Sequence, residues 1–122
     1  MARRLYVVQD DLFFAERVRA TARRLGLSLT ALSPSEASER HWDPGSVVVV
    51  QVTLNPGRQL AMIEQLKLAN PAPRVVAVSG HLETELRARA RALGAVLAAH
   101  SSMERVLTRA MQLEDDPQHP EP

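Results

Sequence analysis

The chain has 122 residues, a formal net charge of +1 and no cysteine, with 45% hydrophobic, 24% charged and 3% aromatic residues. That length suits one domain. The weak net charge and the scarcity of aromatic residues argue against nucleic-acid binding, and the absence of cysteine excludes disulfides and thiolate metal sites. The longest apolar run, Ala95–Ala99, has five residues where a membrane span needs roughly 20, and no signal peptide is evident, so we expect a cytoplasmic protein that does not bind membranes.

The first half of the chain alternates strand and helix patterns. Leu5–Val8 is an apolar run rich in β-formers and predicts a strand. A helix follows over Leu12–Leu25, with one apolar stripe and Gly26 at the expected C-cap. Leu27–Leu32 alternates weakly and predicts an outer strand. Ser33–Arg40 begins with the Ser-Pro-Ser-Glu spacing of a capping box and predicts a short helix.

The second half repeats this alternation. The continuous β-branched runs that it contains are typical of strands buried on both faces of a parallel sheet. Its predicted elements are a strand over Val47–Val50, a helix from Asn55-Pro56 with Leu60, Met62, Ile63 and Leu66 inward, a strand over Val75–Val78, a helix over Leu82–Leu93 ended by Gly94, a strand over Ala95–Ala99, and a helix to Leu113 opened by a Ser101-x-x-Glu104 capping box.

Strand and helix therefore follow one another five times, which predicts a doubly wound α/β fold with a parallel five-stranded sheet and right-handed crossovers. We expect residues 1–113 to form a single domain. Residues 114–122 contain three prolines and four acids with nothing to bury, and we expect this tail to be disordered.

Ligands bind open parallel sheets outside the carboxyl ends of the strands. The candidate site residues are therefore the polar residues that directly follow the predicted strands. They are Gln9, Asp10 and Asp11 after the first strand, Gln51 after the third, Ser79 after the fourth and His100 after the fifth.

Several of these segments, in this order, resemble bacterial response-regulator receiver domains. Val7–Phe14 is similar to the first strand and loop of that family, and Ser46–Gln51, followed by Asn55–Gly57, is similar to its phosphoacceptor strand and loop. Val75–Gly80 is similar to the fourth strand, and Leu86–Ala95 to the helix and turn before the fifth strand. The resemblance implies the flavodoxin-like strand order 2-1-3-4-5 and a place in two-component signal transduction.

In that family, an acidic pair after the first strand holds a divalent cation, and an aspartate ending the third strand accepts a phosphoryl group. A Ser or Thr after the fourth strand binds the phosphoryl oxygen, and a lysine after the fifth strand balances its charge. By resemblance, Gln9 stands at the first acidic position and Gln51 at the phosphoacceptor position. Counting back from Pro56 instead places Val52 there, and only Ser79 matches the family fully.

The resemblance therefore implies a degenerate phosphoacceptor pocket. The lysine position falls on His100 or Ser101. A glutamine amide is neither anionic nor an effective nucleophile, and the two amides lower the negative charge of the site from about three to about one. We expect no aspartyl phosphorylation, no bound metal and no other cofactor. The pocket comprises Gln9, Asp10, Asp11, Gln51, Ser79 and His100.

The two amides also predict hydrogen bonds inside the pocket. Gln9 and Gln51 each donate and accept, so they are expected to bond one another, or Asp10 and Ser79, and to hold one permanent conformation. A third acidic group beside Asp10 and Ser79, or a metal ion between them, would overturn this interpretation.

An arginine series predicts a protein-contact surface. Arginine is enriched at interfaces, and in receiver domains the fourth helix, fifth strand and fifth helix commonly form dimers or dock partners. We therefore expect a phosphorylation-independent signalling or scaffolding module that binds a signalling protein or a second copy of itself. The residues of this surface are Arg87, Arg91, Arg105 and Arg109.

Other interpretations stay open. Asp10 and Asp11 also suit the cap of the following helix, or one of them serves as an unconventional phosphoacceptor. The neutral crevice is alternatively a sensor for a small ligand. An enzyme is disfavoured, because no nucleophile–base pair is evident in the sequence. Trp42, in a connecting loop, is expected to cover the sheet rather than to bind a partner.

Overall fold

Five parallel strands form one sheet in this computed structural model, which describes residues 4–112. The strand order is β2-β1-β3-β4-β5, so the predicted fold class and strand order are confirmed. The strands are β1 (Arg4–Val8), β2 (Leu29–Leu32), β3 (Ser46–Gln51), β4 (Arg74–Ser79) and β5 (Val96–Ala99). The helices are α1 (Leu12–Arg24), α2 (Pro34–Glu39), α3 (Pro56–Leu68), α4 (Thr84–Ala92) and α5 (Met103–Gln112), with a short 3-10 helix over His100–Ser102.

The core consists of two apolar layers, one on each face of the sheet. Helices α1 and α5 cover one face, where Val47 and Val49 of β3 pack with Phe14. Helices α2, α3 and α4 cover the other face, where Val48 and Val50 pack. Because successive side chains of a strand point to opposite faces, the four-valine run fills both layers, and every residue of β3 is buried.

Two of the predicted helix ends are confirmed by their local geometry. Gly26 adopts a φ of 72°, a left-handed conformation that favours glycine after a helix. Ser33 and Glu36 form the predicted capping box: the Ser33 hydroxyl accepts from the Glu36 N–H at 3.1 Å, and the Glu36 carboxylate accepts from the Ser33 N–H at 2.7 Å.

Two other predicted helix starts are wrong. Helix α4 begins at Thr84 rather than at Leu82. The expected Ser101 cap of the last helix is replaced by the 3-10 turn, in which the hydroxyl of Ser102 accepts from the Ala99 N–H at 3.0 Å. The predicted helical residue Leu113 and the expected disordered tail lie outside the described residues.

Trp42 is part of the core, as expected. Its side chain is 5% exposed and meets the Tyr6 ring edge to face, with the ring centroids 5.2 Å apart. The Arg40 guanidinium lies 4.6 Å from the Tyr6 centroid and 5.0 Å from the Trp42 centroid. These contacts attach the chain between α2 and β3 to the sheet.

No helix within residues 4–112 combines the length and the apolar character that crossing a membrane requires.

Candidate functional site

The carboxyl ends of four strands bring the predicted site residues to one edge of the sheet. Val7 pairs with Val49, so Gln9 and Gln51, each two residues further on, leave adjacent strands at the same level. Gln51 pairs with Val78, the residue before Ser79. Ser79 pairs with Ala99, the residue before His100.

Gln51, not Val52, stands at the end of the third strand. It is the last residue of β3, whereas Val52 is 1% exposed and belongs to the apolar layer under α2, α3 and α4. Both alternatives for the phosphoacceptor position, Gln51 and Val52, are uncharged, and Gln51 is the one that ends β3.

The two aspartates after β1 have different roles. Asp11 is the N-cap of α1, and its carboxylate accepts from the Phe13 N–H at 3.2 Å. Asp10 is half-buried, and its Oδ1 is buried without a hydrogen-bond partner. Burial raises the pKa of Asp10, although its backbone hydrogen bond and the Arg58 guanidinium oppose this shift. Asp10 is therefore the carboxylate of this pair that faces the interior of the site.

A buried glutamine that the sequence analysis missed supports the end of β3. Gln59 of α3 is 0% exposed, and its Nε2 donates to the backbone carbonyl of Gln51 at 2.9 Å. The side-chain Oε1 atoms of both glutamines are buried without a partner. The hydrogen bonds expected between the Gln51 amide oxygen and Gln9 or Ser79 are therefore wrong.

Glu83, at the N-cap position of α4, joins two of the loops at this edge. Its Oε1 accepts from the Gly80 N–H at 2.7 Å and from the Thr53 hydroxyl at 2.8 Å. These two hydrogen bonds, led by the one from Gly80, lower the pKa of Glu83. Glu83 is thus a carboxylate near Ser79 that the expected charge of about minus one for the site omits. The charged groups that act on the pKa of Asp10 are Arg58 and Asp11, so Glu83 is not the acidic group beside both Asp10 and Ser79 that would overturn the interpretation.

Arg87 lies in this site rather than on an open surface. It is half-buried, and its Nη1 donates to the Ser79 hydroxyl at 3.3 Å. The same hydroxyl lies 3.3 Å from the Gly80 carbonyl, to which it donates. The contact surface predicted for Arg87 with the other three arginines stays a prediction, which this hydrogen bond does not test. Arg91, Arg105 and Arg109 are exposed.

His100 directly follows β5 at the same edge of the sheet. The ring is half-buried and meets Phe14 edge to face at 6.2 Å, and its Nδ1 is buried without a partner. Burial lowers the pKa of His100, the Arg17 guanidinium lowers it further, and Glu83 opposes both effects. His100 is one of the two residues at which the resemblance implies a lysine, and the guanidinium that contacts Ser79 is that of Arg87.

Acidic and imidazole groups do not converge in a metal-binding cluster anywhere in the stretch 4–112. Two arginines from the helices act on groups of this edge: the Arg58 guanidinium of α3 lowers the pKa of Asp10, and Arg87 of α4 donates to the Ser79 hydroxyl.

Large apolar side chains surround the mouth of the site. Six large hydrophobic side chains are exposed among residues 4–112, and four of them stand in the loops after β1, β3 and β4 or at the start of α1. Each of the four is more than half exposed. Exposed apolar groups that cluster in this way are typical of protein contact sites. They are Leu12, Phe13, Leu54 and Leu82.

Weak sequence features accompany Gln59, Glu83 and Arg87, of which the sequence predicts only Arg87, and that residue for a contact surface. Gln59 lies on the apolar stripe of α3, three and four residues before Met62 and Ile63, where a polar residue needs a partner. Glu83 stands three residues after Gly80, and Arg87 stands four residues after Glu83, so one turn of helix separates the latter two.

No family model and no curated protein matches the chain. Solved structures share its fold. A response regulator from Colwellia psychrerythraea aligns with a TM-score of 0.69 at 13% identity, covering 93% of this chain and 99% of that chain. A response regulator receiver domain from Rhodospirillum rubrum aligns with a TM-score of 0.68 at 16% identity, covering 91% of this chain and 93% of the other.

A third solved structure holds a metal ion. The receiver domain of a sensor histidine kinase from Pseudomonas aeruginosa, with magnesium in its active-site cleft, aligns with a TM-score of 0.66 at 14% identity, covering 91% of this chain and 98% of that chain. At these identities the likeness establishes the fold, and the chain has the fold of a receiver domain.

Proposed function

We propose that this chain is a phosphorylation-independent signalling or scaffolding module of the cytoplasm, which works through protein contacts and has no catalytic activity of its own. The observation that supports this proposal is the neutral Gln51 at the end of β3, where the receiver fold carries its phosphoacceptor. Its backbone carbonyl is held by the Gln59 amide at 2.9 Å.

The surrounding groups favour the same conclusion. Transfer of a phosphoryl group to a protein carboxylate requires that carboxylate as the nucleophile and a hard cation. It also requires a positively charged side chain that is free to bind the phosphoryl oxygens. Gln51 is not a nucleophile, and Asp10 has a pKa raised by burial, which disfavours its charged form. Arg87 is already bonded to Ser79, the hydroxyl that resembles the phosphoryl-binding group.

The phosphorylation test uses acetyl phosphate with Mg²⁺, and separately beryllofluoride with Mg²⁺, on the full chain. Intact mass and amide NMR spectra are recorded before and after. We expect no added phosphoryl mass, and no shift at residues that follow β1, β3 and β4. Phosphorylation at Asp10 or Asp11, mapped by peptide mass, would replace this proposal with the unconventional-acceptor alternative.

A matched pair of variants tests the missing charge itself. Gln51→Asp adds a carboxylate close to Asp10, and like charges in one site raise each other's pKa and favour cation binding. We expect Mg²⁺ to raise the melting temperature of Gln51→Asp clearly more than that of the wild type or of the neutral control Gln51→Asn. Equal Mg²⁺ stabilisation of all three proteins would contradict the assigned role of Gln51.

For the contact surface we propose α4, β5 and α5, with Arg91, Arg105 and Arg109 exposed on the two helices, and a second copy or a signalling protein as the partner. Reversing the charge of Arg91 and Arg105 to Glu should weaken self-association in sedimentation velocity. A control reversal of Arg23, an exposed arginine on α1, should leave it unchanged. Sedimentation that does not respond to the reversal removes this surface from the proposal.

A small-ligand sensor is the second candidate, supported by the unpartnered buried acceptors Asp10 Oδ1, Gln51 Oε1 and Gln59 Oε1. Such acceptors favour a ligand that offers hydrogen-bond donors. A thermal-shift screen of amino compounds and nucleotides tests it, with Gln59→Leu as the variant in which a stabilising ligand should lose its effect.

A further inference from the structure

A groove separate from the site lies between the edge strand β5 and α5. Its volume is about 190 Å³. Val96 and Leu97 of β5 and Val106 of α5 supply apolar wall. Arg74, Arg105 and Arg109 line the same groove. Apolar wall with three guanidinium groups around it suits a short segment that carries both acids and an aliphatic side chain.

The three arginines of the groove have no acidic partner in the described chain. The ion pairs found among residues 4–112 join Arg4 to Asp43, Arg19 to Glu16, and Arg24 to Glu104. Glu104 precedes Arg105 in the sequence, yet its carboxylate bonds Arg24 of α1 at 3.2 Å. The positive charge of the groove is therefore left for an acid from elsewhere.

The same chain supplies an acidic segment immediately after α5. Residues 113–116 are Leu-Glu-Asp-Asp, and α5 is described to Gln112. Acidic residues at the C-terminal end of a helix interact unfavourably with the helix dipole. A nearby cluster of arginines offers them a favourable alternative.

We propose that the acidic segment 113–116 of the same chain folds back onto this groove. Its carboxylates, Glu114, Asp115 and Asp116, would bind Arg105 and Arg109, and Leu113 would contact the apolar wall. Charge complementarity supports this occupant, since three consecutive acids meet three arginines without an acidic partner in the described chain.

The distances permit this arrangement. Arg109 and Arg105 precede Gln112 by three and seven residues, which is about 4.5 and about 10.5 Å along the helix axis at 1.5 Å per residue. Three to four extended residues span roughly 10 to 14 Å. Because the segment is tethered, its effective concentration is on the order of millimolar, which favours the chain's own segment over that of a second copy.

One consequence rests on the proposed function. Arg105 and Arg109 belong both to this groove and to the proposed contact surface. A bound segment 113–116 would therefore compete with a protein partner, and its removal would strengthen that contact. The docking itself does not depend on the proposed function, because it requires only the groove and the acids.

The test compares the full chain with its variant Glu114→Gln/Asp115→Asn/Asp116→Asn. The control variant Glu39→Gln/Glu64→Gln/Glu85→Gln removes the same charge from exposed positions elsewhere. In NMR spectra, we expect the triple tail variant alone to shift the amides of Val96 and Leu97 and the side-chain N–H signals of the groove arginines. About 0.5 M NaCl should shift the wild-type signals towards those of the variant.

A spin label then distinguishes the chain's own segment from that of a second copy. The chain has no cysteine, so Gln118→Cys provides a unique labelling site. We expect broadening of the Val96 and Leu97 signals within the labelled chain, and none in a mixture of isotope-labelled unmodified chain with spin-labelled unlabelled chain. Groove signals identical in the wild type and the triple tail variant would overturn the proposal, and so would broadening seen in the mixture. Neither result depends on the phosphorylation test.

Discussion

Replacement of Glu83 is the most informative test, because one oxygen of its carboxylate joins the loops after β3 and β4. Its Oε1 accepts from the Gly80 N–H at 2.7 Å and from the Thr53 hydroxyl at 2.8 Å. Glu83→Ala leaves both donors without this acceptor. Glu83→Gln keeps an acceptor oxygen at the same place but removes the charge that strengthens both hydrogen bonds.

The expected magnitude follows from the two hydrogen bonds. A hydrogen bond to a charged group contributes roughly 1.5–3 kcal/mol to stability. Glu83 is half-buried, so in the variant water replaces part of each hydrogen bond, and each bond is expected to contribute only about 1 kcal/mol. We expect Glu83→Ala to lower the free energy of unfolding by about 2 kcal/mol and Glu83→Gln by about 1 kcal/mol.

The assay is urea denaturation at pH 7, with Glu85→Ala as the control on the same helix. Glu85 is exposed, and its replacement should change the free energy of unfolding by less than about 0.5 kcal/mol. A double-mutant cycle of Glu83→Gln with Thr53→Val should show coupling of roughly 0.5–1 kcal/mol. Equal effects of Glu83→Ala and Glu85→Ala would refute the reasoning.

The pH dependence supplies an independent check. The pKa of Glu83 is lower in the folded chain than its ordinary value of 4.5, so the unfolded chain binds a proton first as the pH falls. The stabilisation is therefore complete above about 4.5 and is lost as the pH falls through the folded value. The difference between wild type and Glu83→Gln should shrink over that range, and a difference that stays constant would contradict the assignment.

Three further outcomes are expected. Asp10→Asn should raise the free energy of unfolding at pH 7, because burial raises the pKa of Asp10 above 3.8 and its ionisation in the folded chain therefore costs stability; a destabilised variant in urea would contradict this. Because the pKa of His100 lies below 6.5, stability should fall as the pH drops from 7 through 6.5 towards the folded value, and His100→Gln should remove this slope from thermal melts. Trp42→Ala should cost about 3–5 kcal/mol in urea denaturation, since Trp42 is 5% exposed, and a cost below 1 kcal/mol would show that its packing is not needed.

The sheet was predictable because strands buried on both faces require short, continuous apolar runs, which can be identified directly in the sequence. The four valines of β3 fill both apolar layers, and such a run has few alternatives to a central parallel strand. Helix ends that depend on residues close in sequence, such as the capping box of Ser33 and Glu36, were predictable for the same reason. The start of α5 was not, because the choice between Ser101 and Ser102 depends on how β5 ends.

The site was only partly predictable for a related reason. Residues that directly follow strands could be named, since the sheet alone places Gln51 and Ser79. Gln59, Glu83 and Arg87 reach the same edge from helices, over long side chains whose direction depends on packing between elements. Arg87 illustrates the difficulty, because Arg89 and Arg91 in the same helix are exposed, whereas Arg87 donates to Ser79, eight residues before it in β4.

These contacts bear on whether the site works as a switch. Movement of Ser79 towards the end of β3 would have to break its hydrogen bond with Arg87, and displacement of Gly80 would have to break the one with Glu83. Each typically contributes about 0.5–3 kcal/mol, and in this chain no phosphoryl group on Gln51 can form to compensate for them. The loop after β4 is therefore tied to α4 by groups of the protein itself. Under the proposed scaffolding function, these hydrogen bonds would hold the edge for a partner in the conformation described, whereas a phosphorylation switch requires a second conformation of comparable free energy.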